Sequence, residues 1–222
     1  MPDNNNLFRN VEKAQEILRT GTTTIGIKCK DGIVLASDKQ ATAGLLVASK
    51  TAQKIFKLGD YVAATIAGGV ADAQNVMDVM KAEINLFYFR EGRRMPVKSI
   101  ATVMSNMLFG ARYFPYILQS IVGGYDTAPQ IFTLDPYGSR MEEETITATG
   151  SGSPVAYGVL EDAYHPELTV KEGLLVGLRA VQAAIIRDAA TGYGFILCGI
   201  TKDDCKLYSD EEINKMIKEI KK

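Results

Sequence analysis

The spacing of hydrophobic and polar residues changes several times along this chain, and each change predicts a new secondary-structure element. Two-residue alternation of β-branched residues predicts a strand, whereas an apolar stripe with a period near 3.6 predicts a helix. Strands are predicted at residues 22–28, 33–37, 54–58, 61–67, 118–124, 130–135, 145–149 and 193–201. Helices are predicted at residues 70–90, 96–108, 155–164, 168–190 and 210–222, and Val11, Ala14, Ile17 and Leu18 share a further helical face.

The order of these elements favours one fold class. Antiparallel hairpins alternate with pairs of helices, so alternating βαβ units are disfavoured. We expect an α+β fold, a four-layer α-β-β-α sandwich of two antiparallel sheets flanked by helices. Residues 118–149 are expected to form one antiparallel meander. Thr169 with Glu172 predicts a capping box, and Ser209 predicts the cap of the last helix.

Composition is consistent with one globular domain and excludes several function classes. The 222 residues are 46% hydrophobic and 23% charged, with a net charge of -1 and no basic cluster that indicates nucleic-acid binding. The chain start lacks the features of a signal peptide, and no apolar run is long enough to span a membrane, so a cytoplasmic location is expected. Three cysteines without metal-binding spacing and one histidine, His165, indicate neither a metal site nor a cofactor.

The stretch Gly21-Thr22-Thr23-Thr24, at the start of the first strand, carries the main candidate chemistry. A threonine hydroxyl needs a nearby base to act as a nucleophile, and this sequence has only one histidine, His165. A free α-amine, with a reference pKa of about 7.7–8.0, serves as the base when the threonine is the first residue of the chain. Cleavage after Gly21 would make Thr22 that residue. From propensity alone, however, a threonine run entering a strand is more often purely structural.

Asp38 and Lys54 are the candidates to support such a nucleophile. A neighbouring lysine lowers the pKa of an amine, and a carboxylate holds the lysine in place. The two side chains meet if the strands ending at Asp38 and starting at Lys54 lie side by side. A turn aspartate and a solvated edge lysine are the alternative interpretations.

Two glycine-rich stretches are further candidates. Gly68-Gly69 fits a strand-to-helix turn, and backbone N–H groups at such a turn also form oxyanion holes. The sequence GSGS at residues 150–153 fits a tight turn before a helix, or a weak phosphate cradle that lacks the lysine of a P-loop.

Six phrases, taken in order, resemble one family. They are TTTIGIKCKDGIVLASDK, TIAGGVADAQ, MSNML, VGGYDTAP, TGSGSPVAYGVLE and RDAATGYG, and they extend from Thr22 to about Ile200. Each of these sequence segments alone is weak evidence for a family, but their order and co-occurrence are specific. Together they resemble proteasome β subunits of the archaeal type, which are threonine peptidases with the fold of N-terminal-nucleophile hydrolases.

The resemblance implies a role for individual residues. Thr22 matches the N-terminal nucleophile, and residues 1–21 match a propeptide removed by autolysis between Gly21 and Thr22, which leaves residues 22–222 as a single catalytic domain. Gly68 matches the oxyanion-hole donor. The remaining residues that match the catalytic set are Asp38, Lys54, Ser151, Asp188 and Thr191, the last standing where the family usually has serine. Those that match the substrate pocket are Gln40, Ala41, Thr42, Ala52, Ile66 and Val70.

The resemblance also implies a reaction and partners. The expected function is that of the catalytic β subunit of the 20S core, an endopeptidase that cleaves unfolded polypeptides after hydrophobic residues. The expected partners are α subunits and other β subunits in stacked heptameric rings, with a regulatory ATPase acting through the α ring.

Three other functions remain open at this stage. An unprocessed, non-catalytic β-type ring subunit would have similar motifs, although the complete set of catalytic residues argues against it. Another N-terminal-nucleophile hydrolase, acting on small amides, and a plain binding module on the same sandwich are the further alternatives.

Overall fold

A computed structural model of the protein describes residues 21–220, with the side chain of Ile220 excepted. The predicted helical face of Val11, Ala14, Ile17 and Leu18, and the proposed propeptide up to residue 20, lie outside the described residues. No helix within residues 21–220 combines the length and hydrophobicity that a membrane crossing requires.

Two antiparallel sheets form the middle of the molecule. The first, sheet I, has the order β11-β1-β2-β12-β13, and the second, sheet II, has the order β10-β9-β8-β6-β5, with β7 paired to β8. Strands β3 and β4 form a separate hairpin. The strands are β1 (Thr24–Cys29), β2 (Gly32–Asp38), β3 (Ala41–Ala43), β4 (Leu46–Ser49), β5 (Ile55–Gly59), β6 (Val62–Thr65), β7 (Ala67–Gly68), β8 (Leu118–Tyr125), β9 (Pro129–Leu134), β10 (Arg140–Glu143), β11 (Ile146–Thr149), β12 (Phe195–Thr201) and β13 (Cys205–Leu207).

Helices cover the outer face of each sheet. The helices are α1 (Val70–Glu91), α2 (Val97–Gly110), α3 (Ser153–Ala163), α4 (Val170–Arg187) and α5 (Asp210–Ile220). Helices α1 and α2 pack on sheet II in one hydrophobic core, and α3 and α4 pack on sheet I in a second. A third core fills the space between the sheets. The predicted four-layer α-β-β-α sandwich is therefore confirmed.

The side-chain alternation of β2 shows how one strand serves two cores. Ile33 and Leu35 face sheet II, whereas Val34 and Ala36 face the helices on the other side. Both faces of β2 are covered, so this strand is apolar throughout until Ser37 and Asp38 at its end. A continuous apolar run is the expected pattern for a strand buried on two faces.

Two expectations about strand neighbours are wrong. Residues 118–149 do not form one meander, because β11 leaves sheet II and pairs with β1 in sheet I. The strand that ends at Asp38 and the strand that begins just after Lys54 do not lie side by side in one sheet, because β2 belongs to sheet I and β5 to sheet II. Local patterns predict strands well, but the partner of each strand is decided by packing over the whole chain.

The helix caps follow the sequence signals. The Thr169 hydroxyl accepts the Glu172 N–H while the Glu172 carboxylate accepts the Thr169 N–H, which completes the predicted capping box of α4. Ser209 and Glu212 make the same reciprocal pair before α5. Helix α4 ends at Arg187 rather than Ala190, because the Asp188 carboxylate accepts the Ala190 N–H and begins a loop.

Candidate active site

Thr22 lies just before β1, with its peptide bond to Gly21 intact. The residue is almost completely buried, with 3% of its surface exposed. The Thr22 hydroxyl donates to the carbonyl oxygen of Gly21 at 2.6 Å, and the Thr22 N–H donates to Ser151 Oγ at 3.2 Å. The candidate nucleophile therefore touches the carbonyl of the bond whose cleavage would free its own amine.

The glycine-rich turn at residues 150–153 encloses Thr22. Gly150 has a φ of 90°, and a Cβ there would lie 2.1 Å from the Thr22 carbonyl oxygen. The Gly152 N–H donates to that same oxygen at 3.4 Å. Close approach to the Thr22 backbone thus explains Gly150, and close approach to Thr23 Oγ1, 2.0 Å from a Cβ at this position, explains Gly152. These contacts favour the tight-turn interpretation over a phosphate cradle.

Asp38 and Lys54 form a buried ion pair that joins the two sheets. Lys54 Nζ lies 2.7 Å from Asp38 Oδ1, and the side chains are 5% and 0% exposed. Burial lowers the pKa of the Lys54 ammonium, while the nearby carboxylates of Asp38 and Asp188 act in the opposite direction. The predicted contact is thus present, although it is made across the sandwich rather than within one sheet.

Three backbone N–H groups also bind the Asp38 carboxylate. Thr23 donates to Oδ1 at 3.0 Å, and Gln40 and Gly192 donate to Oδ2 at 3.0 and 2.9 Å. Together with Lys54 they supply four donors, so the buried carboxylate is fully satisfied. It is consequently held in a fixed position beside the start of β1.

A second carboxylate, that of Asp188, gathers the remaining predicted catalytic hydroxyls. Ser151 Oγ donates to Asp188 Oδ2 at 2.6 Å, and Thr191 Oγ1 donates to the same oxygen at 2.5 Å. The threonine at position 191, where the resemblance leads one to expect serine, therefore supplies a hydroxyl to Asp188. Because Ser151 also accepts the Thr22 N–H, Asp188 is connected to the nitrogen that would become the free amine.

A cavity of about 170 Å³ opens beside Thr22. Five of the six predicted pocket residues line it, and Gly21, Thr22, Lys54 and Gly68 line the same space. The lining residues among those predicted for the pocket are Ala41, Thr42, Ala52, Ile66 and Val70. An apolar cavity of about 150 Å³ in another protein accommodates benzene, so this space suits one hydrophobic side chain.

Gln40, the sixth predicted pocket residue, lies behind the cavity wall. It is 4% exposed, and its side-chain amide donates to Thr42 Oγ1 at 2.9 Å and to the Ala189 carbonyl at 3.2 Å. Gln40 therefore supports the wall and the loop after α4 rather than facing the cavity.

Gly68 has a backbone conformation that favours glycine. Its φ is 141°, and a Cβ would lie 2.0 Å from the Ile117 carbonyl oxygen. The next residue, Gly69, donates its N–H to that oxygen at 2.6 Å. This turn brings the Gly68 backbone to the cavity and starts α1 immediately afterwards.

Sequence reasoning missed the hydrogen bonds of Thr23, which was interpreted only as a strand residue. It is 0% exposed, and both its backbone and its side chain take part in the site. A buried hydroxyl must find a partner, so the polar Thr run at a buried strand was a signal that pointed to such a network.

Comparison with known proteins agrees with this geometry. The profile of the family described as "Proteasome subunit" matches residues 18–200. The proteasome subunit beta of Methanococcus aeolicus is 47% identical over 212 residues, which are 95% of this chain and 97% of the relative. The proteasome subunit beta of Methanocaldococcus jannaschii is 48% identical, covering 90% of this chain and 91% of its own length. This chain belongs to the proteasome subunit family.

Proposed function

We propose that this protein is the catalytic β subunit of a 20S proteasome core and acts as a threonine endopeptidase. The observation that carries the proposal is the contact between the Thr22 hydroxyl and the Gly21 carbonyl, at 2.6 Å beside a side-chain-sized cavity. The nucleophile, the bond that masks it and the space for a substrate side chain thus occur together.

Autolysis is the first proposed step. Thr22 Oγ attacks the Gly21 carbonyl carbon, the C–N bond breaks, and the Thr22 nitrogen gains a proton as an ester forms. Water then hydrolyses the ester, which releases residues 1–21 and leaves Thr22 with a free α-amine. Among the residues that line the cavity, Lys54 carries the ionisable side chain. The lowered pKa of Lys54 favours proton exchange with the Thr22 hydroxyl.

Peptide hydrolysis repeats this chemistry on a substrate. Thr22 Oγ attacks the substrate carbonyl, and the α-amine, held by Ser151, accepts the proton. The Gly68 N–H is the proposed donor to the oxyanion that develops, a role that the turn at Gly68 supports by placing this backbone at the cavity. The substrate C–N bond then breaks as the protonated α-amine passes its proton to the departing amine. Water hydrolyses the resulting acyl ester, which releases the acid and restores the threonine.

The cavity favours hydrophobic side chains next to the cleaved bond. Its walls are largely alanine, isoleucine and valine, and the charge of Lys54 is already paired with Asp38. A charged substrate side chain would lose its hydration without gaining a partner. Peptides ending in leucine or tyrosine should be cleaved roughly 10-fold or more faster than those ending in glutamate or arginine. A preference for charged residues in this assay would contradict the assigned pocket.

The family also supports a proposal for the assembly. We propose that the chain forms heptameric β rings stacked between α rings, and that an ATPase delivers unfolded polypeptides through the α ring. The second candidate function is an unprocessed structural ring subunit, which would assemble in the same way without cutting its own chain.

Substitution of the nucleophile separates the two candidate functions. Thr22→Ala should abolish both removal of residues 1–21 and peptidase activity, whereas Thr22→Ser, which keeps a hydroxyl, should retain part of each. A Thr22→Ala chain started at residue 22 should also be inactive, which shows that the loss is not caused by the retained propeptide. Wild-type peptidase activity in that variant would overturn the proposal.

A further inference from the structure

Thr23 forms hydrogen bonds with both clusters that are built around a carboxylate. Its N–H donates to Asp38 Oδ1 at 3.0 Å. Its hydroxyl oxygen lies 2.8 Å from Thr191 Oγ1, in the cluster of Asp188. The residue is 0% exposed, so neither contact is exchanged with solvent.

The direction of the hydroxyl hydrogen bonds follows from counting hydrogens. A hydroxyl has one hydrogen to donate, and Thr191 uses it for Asp188 Oδ2, at 2.5 Å. Thr23 must therefore be the donor to Thr191. Ser151 likewise uses its hydrogen for Asp188, so its oxygen accepts from the Thr22 nitrogen. Two hydroxyl relays thus converge on one oxygen of Asp188, one from Thr22 and one from Thr23.

Gly152 packs directly against the hydrogen bond between the Thr23 and Thr191 hydroxyls. A Cβ on Gly152 would lie 2.0 Å from Thr23 Oγ1 and 3.1 Å from Thr191 Oγ1. The missing side chain therefore makes the space in which the two hydroxyls meet. Enclosure by protein keeps water away, and hydrogen bonds in such an environment are electrostatically stronger than in water.

We infer that Thr23 is a positioning residue: its hydroxyl, acting through Thr191, holds the Asp188 carboxylate in the orientation that serves the Thr22 amine. The inference rests on the proposed function of Thr22 as the nucleophile. Thr23 itself touches neither the substrate cavity nor the scissile carbonyl in the contacts described above. Its effect on the reaction is transmitted by the fixed order Thr23, Thr191, Asp188 and Ser151.

The pH dependence gives the sign of the expected effect. A nearby carboxylate stabilises the protonated amine and so raises its pKa. When Asp188 is held less firmly, this stabilisation weakens, and the pKa of the Thr22 α-amine falls. The amine then becomes unprotonated at lower pH, so the acidic limb of kcat/KM moves to lower pH.

The test compares Thr23→Val, which removes the hydroxyl at nearly constant shape, with Thr23→Ser, which keeps it. In assembled, processed particles, Thr23→Val should lower kcat roughly 3- to 10-fold, leave KM unchanged and move the acidic limb down by up to about one pH unit. Thr23→Ser should restore both quantities. Thr24→Val is the matched control, because the Thr24 hydroxyl binds Thr149 and Thr65 in a separate network; it should not move the pH profile.

A double-variant cycle keeps the test decisive if Thr23→Val also reduces stability. Thr191→Val removes the next hydroxyl of the relay, so adding Thr23→Val to it should cause little further loss of kcat. Additive losses, or a Thr23→Val enzyme with wild-type kcat and pH profile, would overturn the inference. If Thr22→Ala retained activity, the proposed function would fail instead, so the two failures are distinguishable.

Discussion

At the residue scale, two carboxylates divide the work around Thr22: Asp38 is buried, whereas Asp188 is half-buried. Asp38 accepts from three backbone N–H groups and from Lys54. Asp188 accepts from the hydroxyls of Ser151 and Thr191. One carboxylate therefore holds a cation near the candidate nucleophile, and the other organises hydroxyls around the Thr22 nitrogen. The buried carboxylate of Asp38 therefore has the donors that a buried charge needs.

Removal of Lys54 tests the first carboxylate. Lys54→Met preserves an unbranched side chain but removes the ammonium group, which leaves Asp38 without its cation. Processing and peptidase activity should therefore both be lost. Breaking a buried pair in this way should also lower the free energy of unfolding by roughly 3 kcal/mol. Denaturant titration and the mass of the purified chain measure the two effects. Lys57→Met is the control, since Lys57 pairs with Asp60 near the surface and should process normally.

The types of residue in the site were predictable from the sequence, but their geometry was not. A shortage of histidine and a Gly-Thr junction pointed to Thr22, and resemblance supplied the rest of the set. The hydroxyl contact of Thr23 joins residues 168 positions apart, so no local pattern reveals it. The burial of Gln40 behind the pocket had no sequence signal either, because a glutamine is equally compatible with exposure.

At the element scale, local chemistry determines where the helices begin, whereas packing determines how the strands pair. The sequence predicted the capping box of α4 and Ser209 as the cap of α5, because the side chains of each cap lie within three residues of each other. The pairing of β11 with β1 joins distant segments, and it corrected the predicted meander. The short strands β3, β4, β10 and β13 were missed.

The cap of α5 has a pH-dependent component. Hydrogen bonds from Lys206 and from the Ser209 N–H lower the pKa of Glu212 from 4.5 to about 2. A lowered folded-state pKa stabilises the fold above the unfolded-state pKa, and this contribution is lost as the pH falls from about 4.5 towards 2. Glu212→Gln should therefore be less stable than the parent at pH 7, with the difference shrinking as the pH drops through that window.

Denaturant titrations of both proteins at pH 7, 4.5 and 3 measure this difference. Because the pair with Lys206 is exposed, added salt should reduce the difference at pH 7. A difference that stayed constant across these pH values would show that the charge of Glu212 has no part in it.

At the scale of the whole molecule, the site lies at the end of the seam between the two sheets. Asp38 ends β2 of sheet I, whereas Lys54 and Gly68 come from the segments of sheet II. The distance between the sheets therefore sets the distance between the candidate catalytic groups. The sandwich itself was predictable from element order, but the position of the site across its seam required the actual strand pairing.

Gly123 offers a way to disturb this spacing. A Cβ on Gly123 would lie 2.8 Å from Ile33 Cγ2 and 3.2 Å from Leu35 Cδ2, across the sheet interface. Gly123→Ala should push the sheets apart locally, lower the free energy of unfolding by about 1–3 kcal/mol and reduce kcat several-fold. Gly158→Ala in α3 is the control, because a Cβ there meets nothing within 4 Å. Equal effects of the two substitutions on kcat would contradict the role of sheet spacing.

The central claim is that Thr22 becomes the first residue of the working protein. The most direct test is the intact mass and N-terminal residue of the chain in assembled, peptidase-active particles. The account predicts a chain that begins at Thr22, with residues 1–21 removed. A chain that keeps Met1 to Gly21 in active particles would contradict it.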